Sequence, residues 1–360
     1  MKNFVGKVLR PILVVVSAIL VCNAEAAESP QGAPAGGSEE SQVDLTPHIH
    51  GAFRARWEGA FGGGDGSRFQ VRNARVTLSG SVAPTISYFV QTDLCDRGKM
   101  KILDAWGRLG LVKGLSLQAG QFREPFGTDC FRGPANYIFA NRSFLGKYMC
   151  NVRAVGAKLS WTAPLGERRT IALDGGAFNP TSMADHDVWV KTLSYAAKGV
   201  LTLNNVKVAT GFQTIVPDSV RTNLWGASLT WQSGRWTLEG EYMHKHYVHR
   251  ASRPAHSWVV WGDYALPVKV GVFNRASLEA RWDGITSHSS GSRNAEGMLT
   301  INHPARQRIT AGGTLSYVYK SVRCDIRLDY ERYFSHSRSN PAMLAAGDTD
   351  KLLAELVICF

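Results

Sequence analysis

The sequence predicts an all-β chain: a transmembrane antiparallel up-and-down β-barrel of about 16 strands, with an inward-folded third outer loop. Three observations carry this. From His48 onward, segment after segment alternates polar and apolar side chains with a period of two, and no stretch keeps a helical period. The polar phase carries charges that a small filled barrel has no room for, whereas a barrel of about 16 strands leaves a wet lumen. Connections alternate between tight turns and longer loops, the asymmetry expected of a barrel with short periplasmic turns and long outer loops.

The N-terminus is set aside first. Lys2, Lys7 and Arg10 precede the apolar run PILVVVSAILV, and Ala24-Glu25-Ala26 supplies a small-x-small cleavage site. Residues 1–26 therefore read as a secretory signal peptide, too short to span a membrane as a helix. Residues 27–47, AESPQGAPAGGSEESQVDLTP, are rich in Pro, Gly, Ser and Glu and read as a disordered periplasmic leader. Residues 48–360 are assigned to an outer-membrane barrel.

The strands follow in order. The first, HIHGAFRARWEG, sets Ile49, Phe53, Ala55 and Trp57 against His50, Arg54 and Arg56. RFQVRNARVTLSG sets Ala74, Val76 and Leu78 against Arg75, Thr77 and Ser79, and a turn at Ala83-Pro84 leads to ISYFVQTD. KILDAWGRLGLV sets Leu103, Ala105, Leu109 and Leu111 against Asp104, Trp106 and Arg108, and Lys113-Gly114 turns into GLSLQAGQF. After a long loop the rhythm resumes with Val155, Ala157, Leu159 and Trp161, then a PLGER turn and TIALDGGAF. An eighth strand ends at Leu203, and Asn204-Asn205 turns into VKVATGFQTIV. Ser233-Gly234 is a two-residue hairpin signal between strands carrying Trp225 to Trp231 and Trp236 to Tyr242. SWVVWGDYAL and ASLEARWDG follow, then a second long loop over about 285–305, a hairpin about Lys320-Ser321, and the C-terminal LLAELVICF.

With the N-terminus in the periplasm, apolar-phase Tyr88, Trp161, Trp231, Trp236 and Phe360 fall near one rim, and Trp57, Trp225, Tyr242, Trp282 and Tyr330 near the other. Two belts from phase and direction alone are what interfacial aromatic girdles require. A soluble β-sandwich with one solvated face accounts for the alternation but not for the belts, the turn-loop asymmetry or the terminal Phe360.

The connection REPFGTDCFRGPANYIFANRSFLGKYMC, residues 123–150, is the longest in the chain and has no clean period. Connections of this length in compact folds are usually functional or disordered. It carries Arg123, Arg132, Arg142 and Lys147 against Glu124 and Asp129, and the expectation is that it enters the barrel mouth and narrows it. Rings of Arg and Lys favour anions, so these four, with lumen-phase Arg75 and Arg108, are the candidate constriction residues. On the wall itself, inward acids such as Asp93, Asp104, Glu239, Glu241, Glu279, Asp283, Asp325, Asp329 and Glu331 nearly cancel the inward cations. The loop cations are then left to carry any anion preference.

The formal net charge is +12, and loss of Lys2, Lys7, Arg10 and Glu25 with the signal peptide lowers it by two. A basic excess points to anionic partners: small anionic solutes, phosphate among them, and lipopolysaccharide. Export argues against nucleic acid. Five of the six cysteines lie beyond the signal peptide, and Cys130 and Cys150 both fall in the long connection, where a bridge and free thiols are equally compatible with the sequence. His244, His246 and His249 have no acid or cysteine beside them to complete a metal set, so they read as polar rim residues. No metal or other cofactor is called for. An enzymatic barrel of the lipase or protease kind, or an adhesin, is the alternative class. It needs a nucleophile, base and orienting group converging at one rim, or large outer loops.

Several segments resemble the phosphate-selective porin O and P family: FQVRNARVTLSG, then YFVQTDL with ILDAWGRLGL, then GLSLQAGQFREPFG, and further on NRS at 141–143, RAVGAKLSW, LEGEY and LEARWD. They run in collinear order over nearly the whole mature chain. The resemblance implies a porin, often trimeric in that family, in the outer membrane of a Gram-negative bacterium that passes small anions, with its third outer loop as the constriction.

Overall fold

The computed structural model describes residues 44–61, 66–149, 153–180, 189–216, 220–335 and 348–360. The expected signal peptide, most of the expected leader and Cys150 lie outside these residues. Sixteen strands form one closed antiparallel barrel, each paired with its neighbours in sequence and the first with the last. They are β1 (His48–Ala60), β2 (Ser67–Ala83), β3 (Ile86–Asp96), β4 (Lys99–Val112), β5 (Leu115–Arg123), β6 (Arg153–Gly166), β7 (Arg169–Phe178) and β8 (Ser194–Leu203). The second half runs β9 (Val206–Ile215), β10 (Thr222–Ser233), β11 (Trp236–Tyr247), β12 (Ala255–Leu266), β13 (Arg275–Ile285), β14 (Arg306–Tyr319), β15 (Val322–Ser335) and β16 (Lys351–Cys359). Among the described residues no helix is long and apolar enough to cross a membrane.

Closure follows from the ends of the chain. β1 and β16 pair from Ala52↔Cys359 to Ala60↔Lys351, and Gly51 and Phe360 exchange both backbone hydrogen bonds, at 2.9 and 3.1 Å. The Phe360 ring lies over Gly51 where any Cβ would stand, 2.3 Å from the nearest ring carbon. A closed sheet leaves no row of unpaired N–H and C=O groups, the condition a spanning sheet must meet.

The alternation seen in the sequence becomes the two faces of the wall. Trp225, Tyr242, Trp282 and Tyr330 are 40–56% exposed on the outside, and Trp231, Trp236 and Phe360 are 37–53% exposed. Arg54, Asp93, Glu239, Asp283, Arg308, Arg327, Asp329 and Glu331 on the other face are all under 4% exposed. The tight turns at Lys113-Gly114, Asn204-Asn205 and Lys320-Ser321 sit where expected. Two turns differ. The β10–β11 turn is Gly234-Arg235, because Ser233 still pairs with Trp236 and Gly234 takes the positive φ of 56°. β6 runs through Pro164 to Gly166, and Glu167-Arg168 turns; Pro164 is tolerated there because the register shifts between it and Gly166.

Strict alternation breaks at β4–β5. Gln91 pairs with Asp104 but Thr92 with Ile102, so Leu103 is an extra residue, and it is 6% exposed. Gln121 then donates to the carbonyls of Ile102 and Leu103, at 3.1 and 3.0 Å. Gly120 makes this possible with φ 132°, and a Cβ there would lie 2.3 Å from the Ala105 carbonyl oxygen. Gly120→Ala is therefore expected to cost at least the ~1–3 kcal/mol of a strained backbone residue. The check is the temperature at which detergent-solubilised protein converts from the compact to the boiled mobility on a gel. Unchanged conversion would contradict the close-approach argument.

Candidate functional site

Residues 124–149 join β5 to β6 and are not structureless. The segment holds two 3-10 turns, Asp129–Phe131 and Pro134–Asn136, and one short helix, α1 (Phe144–Tyr148). Ser143 caps α1, its hydroxyl accepting from the Gly146 N–H at 2.9 Å and donating to Asp129 at 2.6 Å. Phe126, Cys130, Phe139, Phe144, Leu145 and Met149 pack as one buried cluster with Ile215, Leu224, Met243, Val259, Trp261 and Ile285 of β9 to β13. The apolar residues of the segment show no period because this core is built from irregular backbone.

Such backbone has N–H and C=O groups that regular structure does not satisfy. Here the buried charges of the wall do. Glu241 accepts from the N–H groups of Thr128 and Asp129 at 2.7 and 2.8 Å. Asp329 accepts from Ala140 at 2.6 Å and Asp283 from Phe144 at 2.8 Å. In the opposite sense, Arg54 donates to the Ala140 carbonyl at 2.6 Å, Arg281 to Asn141 at 2.7 Å, Arg308 to Arg142 at 2.7 Å and Arg327 to Tyr137 at 2.8 Å. Lys198 donates to the Gly127 carbonyl. These charges are also paired with one another: Arg308 is bidentate on Asp283 at 3.1 and 2.9 Å and reaches Glu331 at 2.9 Å. Glu355 takes Arg54 at 2.6 Å and Arg327 at 2.8 Å. The near balance of inward acids and cations thus serves a network of charge-assisted bonds.

Cations take part in that network as well as acids, and two of them, Arg54 and Arg308, also line a second, more basic region. Between the segment and β1 to β4 lies a cavity of about 610 Å³ lined by ten arginines and three lysines, against Glu58, Asp96 and Asp348. Four of the six expected constriction residues line it: Arg75, Arg123, Arg142 and Lys147. The other two do not. Arg132 is bound by Asp129 at 2.9 Å and by Glu239, with Trp261 beneath its guanidinium at 5.0 Å. Arg108 donates to Gln118 at 2.8 Å and lies 4.8 Å over the Trp106 ring, itself stacked on Phe89 at 5.2 Å.

The four that gather there are not equivalent. Arg75 binds Asp93 at 2.9 Å. Arg142 donates to the Cys130 carbonyl at 3.3 Å, and Lys147 lies 4.8 Å over Tyr148. Arg123 faces the Phe131 ring at 5.8 Å, makes no ion pair among the described residues, and its buried Nε has no hydrogen-bond partner there. Sequence reasoning missed Arg72, Arg97, Lys101 and Arg153, which also line the cavity. Arg153 shares the phase of Val155 and Ala157, so alternation assigns it outward; its cross-strand pairing with Arg123 and its bonds to Asp104 at 3.1–3.2 Å reveal it. The Cys130–Cys150 bridge rests on a residue outside those described; Cys130 itself is buried, its sulfur 2.8 Å from the Phe126 carbonyl.

Two carboxyls of the segment are held in opposite directions. Burial raises that of Asp129, but Arg132, the Ser143 hydroxyl and Arg142 outweigh it and hold it below its ordinary value. Burial pushes Glu124 up to about 7, opposed only by the hydrogen bond from Gln213 at 3.0 Å.

No protein-family model matches the chain, and no curated protein matches it in sequence. Solved structures do match it. OprB of Pseudomonas putida in its high-pH structure superposes with a TM-score of 0.60 at 10% identity, over 88% of this chain and 95% of that one. OmpF of Salmonella typhi, in complex with daunomycin, gives 0.59 at 12% identity, over 87% and 97%. The anion-selective porin from Comamonas acidovorans gives 0.56 at 11% identity, over 87% and 98%. At these identities the likeness is one of fold: this is the porin barrel.

Glu124 supplies a pH test. Its folded-state value near 7 lies above its ordinary 4.5, so the folded chain binds this proton more tightly than the unfolded one. Stability from this group is full below pH 4.5 and is lost as pH rises through 7. The shift corresponds to about 3 kcal/mol. Glu124→Gln is expected to flatten thermal stability against pH between 4.5 and 8 and to stabilise the protein at pH 8. An unchanged pH profile would place the carboxylate in a solvated setting.

Proposed function

We propose that the chain forms a water-filled channel in the outer membrane of a Gram-negative bacterium, passing small solutes by passive diffusion with a preference for anions, phosphate among them. The observation that carries this reading is the cavity between segment 124–149 and β1 to β4, lined by thirteen basic side chains and three acids. Nine of the thirteen are paired with carboxylates, and Arg123 and Lys147, of the segment and its junction, make no ion pair among the described residues. A wall with an excess of one sign of charge concentrates counter-ions and lowers their barrier to entry. Segment 124–149 is the constriction in this reading, and Arg75, Arg123, Arg142 and Lys147 are the residues that meet the solute. Residues 1–26 direct export. The apolar, aromatic-rimmed outer face supports a lipid environment, and the likeness to the anion-selective porin of Comamonas acidovorans supports the sign of the preference. A homotrimer is part of the proposal, on the strength of the sequence segments that resemble the porin O and P family.

The test is reconstitution in a planar bilayer, with the reversal potential measured across a potassium chloride gradient with and without phosphate. Stepwise conductance and an anion-selective potential are expected; absence of steps would end the channel reading, and a cation-selective potential would end the anion part alone. Phosphate that neither blocks nor alters the chloride current would remove phosphate from the proposal.

Arg123 is the sharpest single position. A unit charge acts on an ion about 5 Å away through water with about 0.8 kcal/mol, about a fourfold change in local anion occupancy. Arg123→Gln is expected to lower the anion-to-cation permeability ratio by about that factor, whereas Arg132→Gln, outside the cavity, should leave it nearly unchanged. Equal effects of the two would overturn the assignment of the cavity as the selective region.

A further inference from the structure

The outer face of the wall carries a second group of convergent side chains, unrelated to the cavity. His244 on β11 and His256 on β12 are directly opposed in register. Met243, Lys245 and Tyr247 are buried on the lumen face of β11, so His244 and His246 share the outward face with Tyr242. Ser257 and Val259 are likewise buried on β12, which turns His256 outward with Trp258. The group lies at one end of the hairpin: β11 ends at Tyr247 and β12 begins at Ala255. His244, His246 and His256 are each partly exposed.

The geometry is specific. Nδ1 of His244 and Nδ1 of His256 are 3.4 Å apart, with ring centroids at 4.8 Å and planes inclined by 54°. The Tyr242 phenol oxygen is 2.5 Å from the same His256 nitrogen. Two nitrogens bound to one tetrahedral metal at 2.0–2.1 Å stand about 3.3–3.4 Å apart. The two imidazoles already hold that separation across a rigid strand pair, so a metal needs only small ring rotations and displacement of the phenol from His256. His246, two residues along the same face, is the next nitrogen donor. No carboxylate belongs to the group, and a neutral nitrogen set with a phenol disfavours magnesium and calcium and suits zinc, copper and nickel.

We propose that His244 and His256, with Tyr242 beside them, form a surface site for a divalent transition-metal ion of the zinc, copper and nickel class. The site is independent of the channel reading, because it lies on the opposite face of the wall and uses none of the cavity residues.

The experiment uses the untagged full-length chain in detergent, titrated with copper(II) chloride and followed by electron paramagnetic resonance, with zinc chloride titrated in parallel by calorimetry. His48, His50 and the remaining histidines are present in every sample and set the background. The expected result is one equivalent of copper whose spectrum carries coupling to two imidazole nitrogens. That equivalent is lost in the His244→Ala/His256→Ala double variant and weakened at least tenfold in either single variant. Tyr242→Phe, which removes the competing phenol, should retain two-nitrogen coupling. His244→Gln and His256→Gln, closer in size and polarity, replace the alanine variants if those lose the compact mobility on an unheated gel. Equal stoichiometry and affinity in the folded double variant and the unaltered chain would overturn the site, as would coupling to a single nitrogen.

Discussion

The structure depends on buried carboxylates and guanidinium groups binding irregular backbone. Glu241, Asp283 and Asp329 accept N–H groups of the segment between β5 and β6, and Arg54, Arg281, Arg308 and Arg327 donate to its carbonyls. Unsatisfied backbone groups cost about 1–3 kcal/mol each when buried, and a segment without regular helix or strand has many. The barrel wall supplies partners for them, and the same charges neutralise one another in pairs and triads. Removing one member of such a network leaves a buried charge without compensation, which is why the parts are mutually dependent. Beneath the polar network, a small apolar core around Phe126, Phe144 and Leu145 gives the segment a hydrophobic reason to stay folded.

This arrangement accounts for an apparent contradiction in the charges. Counted along the strands, inward acids and cations nearly cancel, which would describe a weakly selective lumen. Placed in space, they separate. Acids of β11, β13 and β15 are bound to the segment, while arginines and lysines of β1 to β4, with Arg123, Arg142 and Lys147, line the cavity. Net charge per strand is therefore a poor guide to the field a solute would meet; what counts is which charges the fold brings to the cavity. Arg132 makes the point from the other side. By position in the segment it is equivalent to its neighbours, yet Asp129 and Glu239 bind it outside the cavity.

The histidines illustrate how pairing changes a reading. MHKHYVH alone offers donors on one strand and nothing to complete a set. The register of β11 with β12 brings in His256, twelve residues away in sequence, directly opposite His244. Nothing in the period or the composition carries that information, because register is a property of two strands and their turn.

By itself the sequence determined the barrel, its strand number and the faces of its wall. Period-two alternation, turn residues with positive φ such as Asn204 and Lys320, and outward aromatics are each local consequences of backbone geometry and solvent. It also singled out the 123–150 connection and four of the residues that line the cavity. Tertiary structure alone decided which cations line the cavity, why Arg153 joins them against its phase, and how Leu103 and Gly120 interrupt the alternation. The physical reason is the range of the interactions. Alternation is set by neighbours in the chain, whereas ion pairs and backbone-to-charge bonds here join residues as far apart as Arg54 and Glu355, and only the closed sheet brings such partners together.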